Sequence, residues 1–408
     1  MKSIISIVLA GGQGERLRPL TNERAKPAVP FGGHYRIVDF VLSNLVNSGF
    51  LRILVLTQFK ADSLLRHLKR GWHLPPLLDQ FIDAVPAQMR TGNHWYKGSA
   101  DAVFQNLHHI TNAHADDVCI LGGDHVYRMD MRHMMEFHRR NGADVTVAVI
   151  PCLIGEATNF GIVIVDDTWR IVGFAEKPAS PTPMPQDSTR SLCSMGIYIF
   201  KAEVLIEAAR KDAESHESMH DFGRDILPRL YLDKKVMAYN FVDNQVPGAT
   251  SDERGYWRDI GSIDSYWKAS MDLVSVSPVF NLYNDAWPIH TAFDTHPPAK
   301  FVFADKKSER VGMATDSLVC SGDIISGGRI NRSVLSPAVR VNSFCQVDES
   351  IIFERVNIGR HSKIRRAIID KDVVIPPGTI IGYDTEEDRK RYMVSPNGIV
   401  VIPKMATL

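Results

Sequence analysis

Four pairs of aliphatic residues stand at fixed spacing in the last quarter of the chain: Ile324 and Ile330, Val341 and Val347, Ile358 and Ile364, Ile375 and Ile381. The members of a pair are six residues apart, and each pair begins 17 residues after the last. Leu335, Ile352 and Ile369 run in step with them, and Val334, Ile351 and Ile368 stand beside that ladder. Six-residue steps inside a regular longer period mark a parallel β-helix with one coil per period. Each coil stacks its aliphatic residues on the next, so the core is continuous.

The preceding two-thirds has another rhythm. Apolar and amphipathic stretches alternate: IISIVLA, DFVLSNLVNSG, RILVLTQ, KADSLLRHLKRG, DDVCILGGD, MRHMMEFHRRNG and ADVTVAVI follow in order. This predicts a doubly wound α/β sheet with right-handed crossovers, whose ligands gather at the carboxyl ends of the strands. Two such ends carry glycines. LAGGQGERLRPLT sets Gly11, Gly12 and Gly14 after the first strand, with Arg16 and Arg18 behind them, and Asp124 ends the third strand in LGGDHVY. Glycines free the backbone for positive φ and close approach, and guanidinium groups add fixed charge, which suits a phosphate chain. A Walker A loop is excluded because no Gly-Lys-Ser or Gly-Lys-Thr follows. The dinucleotide fingerprint fails because its third glycine would stand at Leu17. After Leu273, VSVSPVFNLYNDAWPIHTAFDTHPPAK carries four prolines and little periodicity. Residues 274–310 are therefore expected to be a connector laid on the surface.

A chain of 408 residues is long enough for roughly two or three domains. Lysine plus arginine balances aspartate plus glutamate at 47 each, which argues against a general nucleic-acid or membrane-surface binder. Cys119, Cys152, Cys193, Cys320 and Cys345 form no C-x-x-C pair, so neither a disulfide framework nor a zinc site is indicated. No run approaches the ~18 apolar residues of a membrane span. The first apolar run is short for a signal peptide, and a cytoplasmic protein is expected. The fifteen histidines form no H-E-x-x-H and no G-x-S-x-G appears, which leaves zinc-enzyme and hydrolase readings poor.

Several polar residues are chemical candidates. Asp124, and Asp259 in YWRDIG, could hold Mg²⁺ if they meet in space. This ion takes one or two carboxylates and completes its shell with water and phosphate oxygens. Each alone is an ordinary turn aspartate. Lys26 in ERAKPAVPFGG is held by Pro27 and Pro30, or is simply a solvated lysine. Glu176 and Lys177 in FAEKP suit sugar hydroxyls and a second phosphate, or only a turn. HWYKGSADAV is either a substrate-facing loop or a helix N-terminus.

LAGGQGERLRPLTNERAKPAVPFGG, WYKGSAD, GGDHVYRMD, FAEKP, SMGIYIF and YWRDIGSIDSYWKASMDL stand in the order seen in bacterial ADP-glucose pyrophosphorylases, the glucose-1-phosphate adenylyltransferases. The chain resembles that family along nearly its whole length. The resemblance implies an α/β, Rossmann-like nucleotidyltransferase domain over residues 1–273. A C-terminal left-handed parallel β-helix over 311–408 would serve regulation and oligomerisation. It also implies transfer of AMP from ATP to glucose 1-phosphate, the committed step of glycogen synthesis, with Mg²⁺ as cofactor and a homotetrameric assembly. By position, Gly11, Gly12, Gly14, Arg16 and Lys26 would receive the triphosphate, and Gln88 in PAQMR the adenine. Tyr96, Gly161, Glu176, Lys177 and Ser194 match the glucose 1-phosphate pocket, and Asp124 and Asp259 the metal site.

Members of that family are commonly switched by small phosphorylated metabolites bound between the domains. The enteric type carries lysine where this chain has Glu23, and an acidic residue there would repel a bisphosphate. Arg24, His34, Arg36 and Lys371 remain candidates for an anion site. Other readings compete. One is the same chemistry on another sugar 1-phosphate or nucleotide. A second is a regulatory subunit without catalysis, which should lack Arg16, Lys26 or one of the aspartates. A third is an acyltransferase, which would need a catalytic histidine on the β-helix, where only His361 stands.

Overall fold

The computed structural model describes residues 3–408 except 303, 306, 309 and 407. Its largest sheet has nine strands: β1 (Ile4–Ala10), β2 (Arg52–Thr57), β3 (Phe81–Pro86), β4 (Asp117–Gly122), β5 (Val145–Leu153), β6 (Gly161–Val165), β7 (Ile171–Glu176), β8 (Arg190–Lys201) and β9 (Val236–Asn240). The spatial order is β7-β6-β8-β4-β1-β2-β3, with β5 paired to β8 and β9 to β5. β1 lies between β2 and β4 and runs parallel to both. A strand so placed is covered on both faces and needs a continuous apolar run. Ile5 and Ile7 face one core, with helices Ser99–Gln105 and Ala202–Ala213. Val8 and Ala10 face the other, with helices Ile37–Asn47, Asp62–Gly71 and Met131–Arg140. One departure from a purely parallel, doubly wound sheet is β8, which runs antiparallel to β4, β5 and β6. A fully buried strand carries the same apolar pattern whichever way it runs.

The repeat region forms three sheets of short strands, parallel throughout except for the antiparallel pairing of Met393–Val394 with Val400–Ile402. Ile330, Val347, Ile364 and Ile381 pair in succession, as do Leu335, Ile352 and Ile369, and all are buried. The first coil differs from the expected register. Ile325, not Ile324, stacks on Val341, and Ile324 faces Arg340. A one-residue slip exchanges the inner and outer faces of a strand. Stacking begins with Lys300–Val302, which pairs with Ile324–Ser326 inside the segment expected as a connector. That segment is also anchored rather than merely laid on the surface. Phe280, Trp287 and Ile289 are buried, and Thr291 Oγ1 donates to Asp39 Oδ2 at 2.7 Å.

A further apolar cluster joins the two parts. Phe31, Phe40, Tyr266 and Phe280 meet Val334, Ile351, Phe353 and Ile368 of the β-helix. Helix Ile263–Asp272 lies in this junction, where Trp267 Nε1 donates to Glu349 O at 2.8 Å and the Tyr266 hydroxyl donates to Pro30 O. Arg24 gives two hydrogen bonds to Asp370, at 2.9 and 2.8 Å, and both side chains are buried. Among the described residues, no helix is long and apolar enough to cross a membrane.

Candidate active site

A cleft of about 780 Å³ opens where β1, β2 and β4 end, with Gly11, Gly12, Gly14 and Arg16 along one wall. A second lobe of about 280 Å³ lies against Gly161, Glu176, Ser194 and Asp259. Arg16, Lys26, Asp124, His125, Lys177 and Asp221 line both, so two occupants would meet between them. Of the three loop glycines only Gly14 is left-handed, with φ 64°, as the entry to the turn Glu15–Leu17 requires. Thr21 Oγ1 donates to Gly14 O at 2.8 Å and steadies that turn.

Backbone pairing brings the two aspartates together. Strand Trp257–Asp259 runs antiparallel to His125–Tyr127 and sets Asp259 opposite His125, next to Asp124. One ligand atom each from Asp124, His125 and Asp259 lies within 4.8 Å of the others, a set able to hold a metal ion. Two carboxylates suit a hard divalent cation. Lys26 Nζ stands between them, 2.9 Å from Asp124 Oδ2 and 3.1 Å from Asp259 Oδ1. Arg16 reaches to 4.0 Å from Asp259. Burial pulls the Lys26 ammonium down, but Asp124 and Asp259 outweigh it and raise its pKa. Burial likewise pushes the Asp124 carboxyl up, but Lys26 and His125 outweigh it and hold Asp124 well below the usual carboxylate range. The carboxylates already serve one positive charge, so the donor set fits a cation. His125 Nδ1 is buried without a partner among the described residues, and its ring stands edge-on to Trp257 with centroids 5.1 Å apart.

The second lobe is built around Glu176, the last residue of β7. Lys177 Nζ lies 3.1 Å from Glu176 Oε1. Two glycines pack so closely on this carboxylate that a Cβ at Gly161 would meet Oε2 at 2.8 Å, and one at Gly223 at 2.6 Å. Gly223 belongs to the π turn Phe222–Ile226, whose cap Asp221 accepts from Gly223 N and Arg224 N, and from Ser99 Oγ at 3.0 Å. Such turns recur at functional sites. A bulge in β8 between Ser194 and Tyr198 sets Ser194 on the wall of this lobe.

Comparison with known proteins agrees with this architecture. A family model described as "Nucleotidyl transferase" matches residues 5–276, and one described as "GlmU-like, C-terminal hexapeptide" matches residues 297–402. A glucose-1-phosphate adenylyltransferase of Anaeromyxobacter sp. (strain Fw109-5) is 56% identical over 405 residues, covering 99% of this chain and 98% of the relative. The chain belongs to the glucose-1-phosphate adenylyltransferase family. Proteins of that name from Koribacter versatilis (50% identical; 99% of this chain, 96% of the relative) and Vibrio vulnificus strain YJ016, there numbered 1 (47%; 100% and 99%), match at similar length.

In this member of the family, some residues singled out from sequence stand elsewhere than the sequence suggests. Gln88 lies just past β3, exposed, and lines neither lobe. Tyr96 lines the glycine-loop lobe rather than the lobe of Glu176. Its hydroxyl accepts from Asn106 Nδ2 at 2.9 Å, and its backbone N–H donates to Gln58 Oε1 at 2.9 Å. Of the anion-site candidates, Arg24 is engaged by Asp370, Lys371 by Glu354, and Arg36 by Ala28 O and Ser63 Oγ. Burial, with Arg36 beside it, pushes Lys371 down to about 8. Only His34 of the four is exposed, tilted against Tyr35 with centroids 4.1 Å apart. The sequence does not single out His125, Asp221, Gly223 or Gln58 as site residues, whereas Ser99 stands in HWYKGSADAV, the stretch that offers a substrate-facing loop. His125 adjoins Asp124 in the motif, and DFGRD pairs glycine with acids as LGGD does, so both gave a signal. Gln58 gave none.

Proposed function

We propose that this protein transfers the adenylyl group of ATP to glucose 1-phosphate, giving ADP-glucose and pyrophosphate, at the committed step of glycogen synthesis. The observation that carries this reading is the two-lobed cleft whose shared wall holds Lys26, Asp124 and Lys177. The triphosphate enters beside the glycine loop, and the sugar phosphate lies against Glu176, Lys177 and Ser194. A phosphate oxygen of glucose 1-phosphate attacks the α-phosphorus in line. The bond to the bridging oxygen breaks, and pyrophosphate leaves with its electron pair. The nucleophile is already an anion, so no strong general base is needed. The obstacle is bringing two anions together and neutralising the leaving group, a task of positioning and electrostatics. Arg16 and Lys26 offset the charge of the pyrophosphate, Lys177 offsets that of the sugar phosphate, and Glu176 accepts from sugar hydroxyls. Asp124 and Asp259 would hold Mg²⁺, which when bound neutralises phosphate oxygens and polarises the phosphorus.

Regulation by a phosphorylated metabolite belongs to the same reading, with Arg24, Arg36 and Lys371 close to one another and His34 two residues before Arg36. An anion arriving there competes with Asp370 and Glu354 for those cations, and Glu23 disfavours a bisphosphate. Homotetrameric assembly and a cytoplasmic setting complete the reading. The deciding experiment follows pyrophosphate release from purified protein. Release should require ATP, glucose 1-phosphate and Mg²⁺ together. No release from any nucleotide and sugar phosphate pair removes the catalytic reading, and preference for another pair reassigns the substrates.

A further inference from the structure

Lys26 Nζ stands between the two acids that a divalent cation would use. Its Nζ is within hydrogen-bonding distance of both Asp124 and Asp259, the carboxylates of the set able to hold a metal. Its side chain is only 9% exposed. The turn Lys26–Ala28 that carries it is fastened on both sides, by Arg24 on Asp370 and by Pro30 O under the Tyr266 hydroxyl. An ammonium and a metal ion cannot share the space between the same two oxygens. We propose that Lys26 is an internal placeholder for the metal. In the free protein it neutralises the acid pair, and it gives up that place when nucleotide and metal arrive together. The proposal rests on reading Asp124 and Asp259 as metal ligands.

The physical case is one of competition. Two carboxylates this close repel each other unless a cation stands between them. Lys26 supplies that cation through two charge-assisted hydrogen bonds, the strong kind. A metal ion alone must break both and leave the ammonium without acceptors in a nearly buried position. A triphosphate in the glycine-loop lobe offers Lys26 new oxygens, since Lys26 lines that lobe as well. Metal is therefore admitted with nucleotide and poorly before it.

The test uses Mn²⁺ alone, counted by the electron paramagnetic resonance signal of the free ion, on full-length protein without nucleotide. Lys26→Gln and Lys26→Met should bind Mn²⁺ at least tenfold more tightly than the wild type. Lys26→Arg, which keeps the positive charge, should stay close to the wild type. Lys26→Gln retains an amide donor for the carboxylates and guards against loss of fold in Lys26→Met. Mn²⁺ should also raise the melting temperature of Lys26→Gln more than that of the wild type. Equal affinity in wild type, Gln and Met variants overturns the placeholder. Adding Asp124→Asn to Lys26→Gln separates the two readings. Tight binding that vanishes supports both, whereas tight binding that persists places the ion elsewhere and removes the metal-ligand reading itself.

Discussion

Asp124 and Asp259 carry opposite ends of one electrostatic arrangement, with Lys26 and Arg16 between and around them. Replacing either acid by its amide keeps the shape and removes the charge. Asp124→Asn or Asp259→Asn should lower kcat on the order of 10²–10³-fold, the scale of losing one preorganised electrostatic contact. Circular dichroism should stay unchanged, and near-normal turnover in either variant excludes that residue from the metal set. At this scale the sequence was readable where chemistry clusters locally, as in the glycine loop or in LGGD. Partners in space were not readable. Lys26 meets residues 98 and 233 positions away, and Arg24 meets one 346 away. From sequence, Arg24 is a charge free to meet an anion; the fold gives that charge to Asp370.

The first coil of the β-helix shows what an element hides. Asp323 stands where Val339, Val356 and Val373 stand in later coils, each carbonyl accepting the corresponding N–H, from Lys300, Ile324, Arg340 and Asn357 in turn. Its buried carboxylate accepts from Cys320 N at 3.0 Å and Val339 N at 2.8 Å. Burial pushes its pKa from the ordinary 3.8 up to about 7. The folded chain thus holds this proton more tightly than the unfolded chain. The contribution to stability is complete below the unfolded pKa and is lost as pH rises through about 7. The melting temperature should fall between about pH 4 and pH 7 and level off above that. Asp323→Asn should flatten that fall, and an unchanged slope would clear Asp323 as its source. The period was legible because aliphatic residues recur at 17, but the strand Lys300–Val302 that opens the stack was not. The shorter first step was not, since Ile324 and Ile325 are both isoleucine and satisfy either register. The direction of β8 was hidden for a related reason, because buried strands look alike read up or down.

An α/β part and a β-helix were legible in the whole chain, but the way they rest on each other was not. Their junction gathers Phe31, Tyr266, Phe280 and Phe353 from four distant segments, none marked by its own periodicity. The buried Arg24–Asp370 pair crosses this junction. Removing one member leaves the other charge without compensation. Arg24→Ala should therefore cost about 3–5 kcal/mol. Arg24→Met combined with Asp370→Leu should recover most of that loss in chemical denaturation. A loss no smaller in the double variant would show that the pair contributes through packing rather than charge. Circumscribing the cleft in this way has a price for anyone who would transplant it. The segments bearing Lys26 and Asp259 both stand with their backs to the β-helix, through Arg24 on Asp370 for one, and through Tyr266 against Phe353 and Trp267 on Glu349 for the other. A chimera joining residues up to 296 to a foreign partner would inherit the glycine loop whole, yet its two cation-handling arms would have lost their footing.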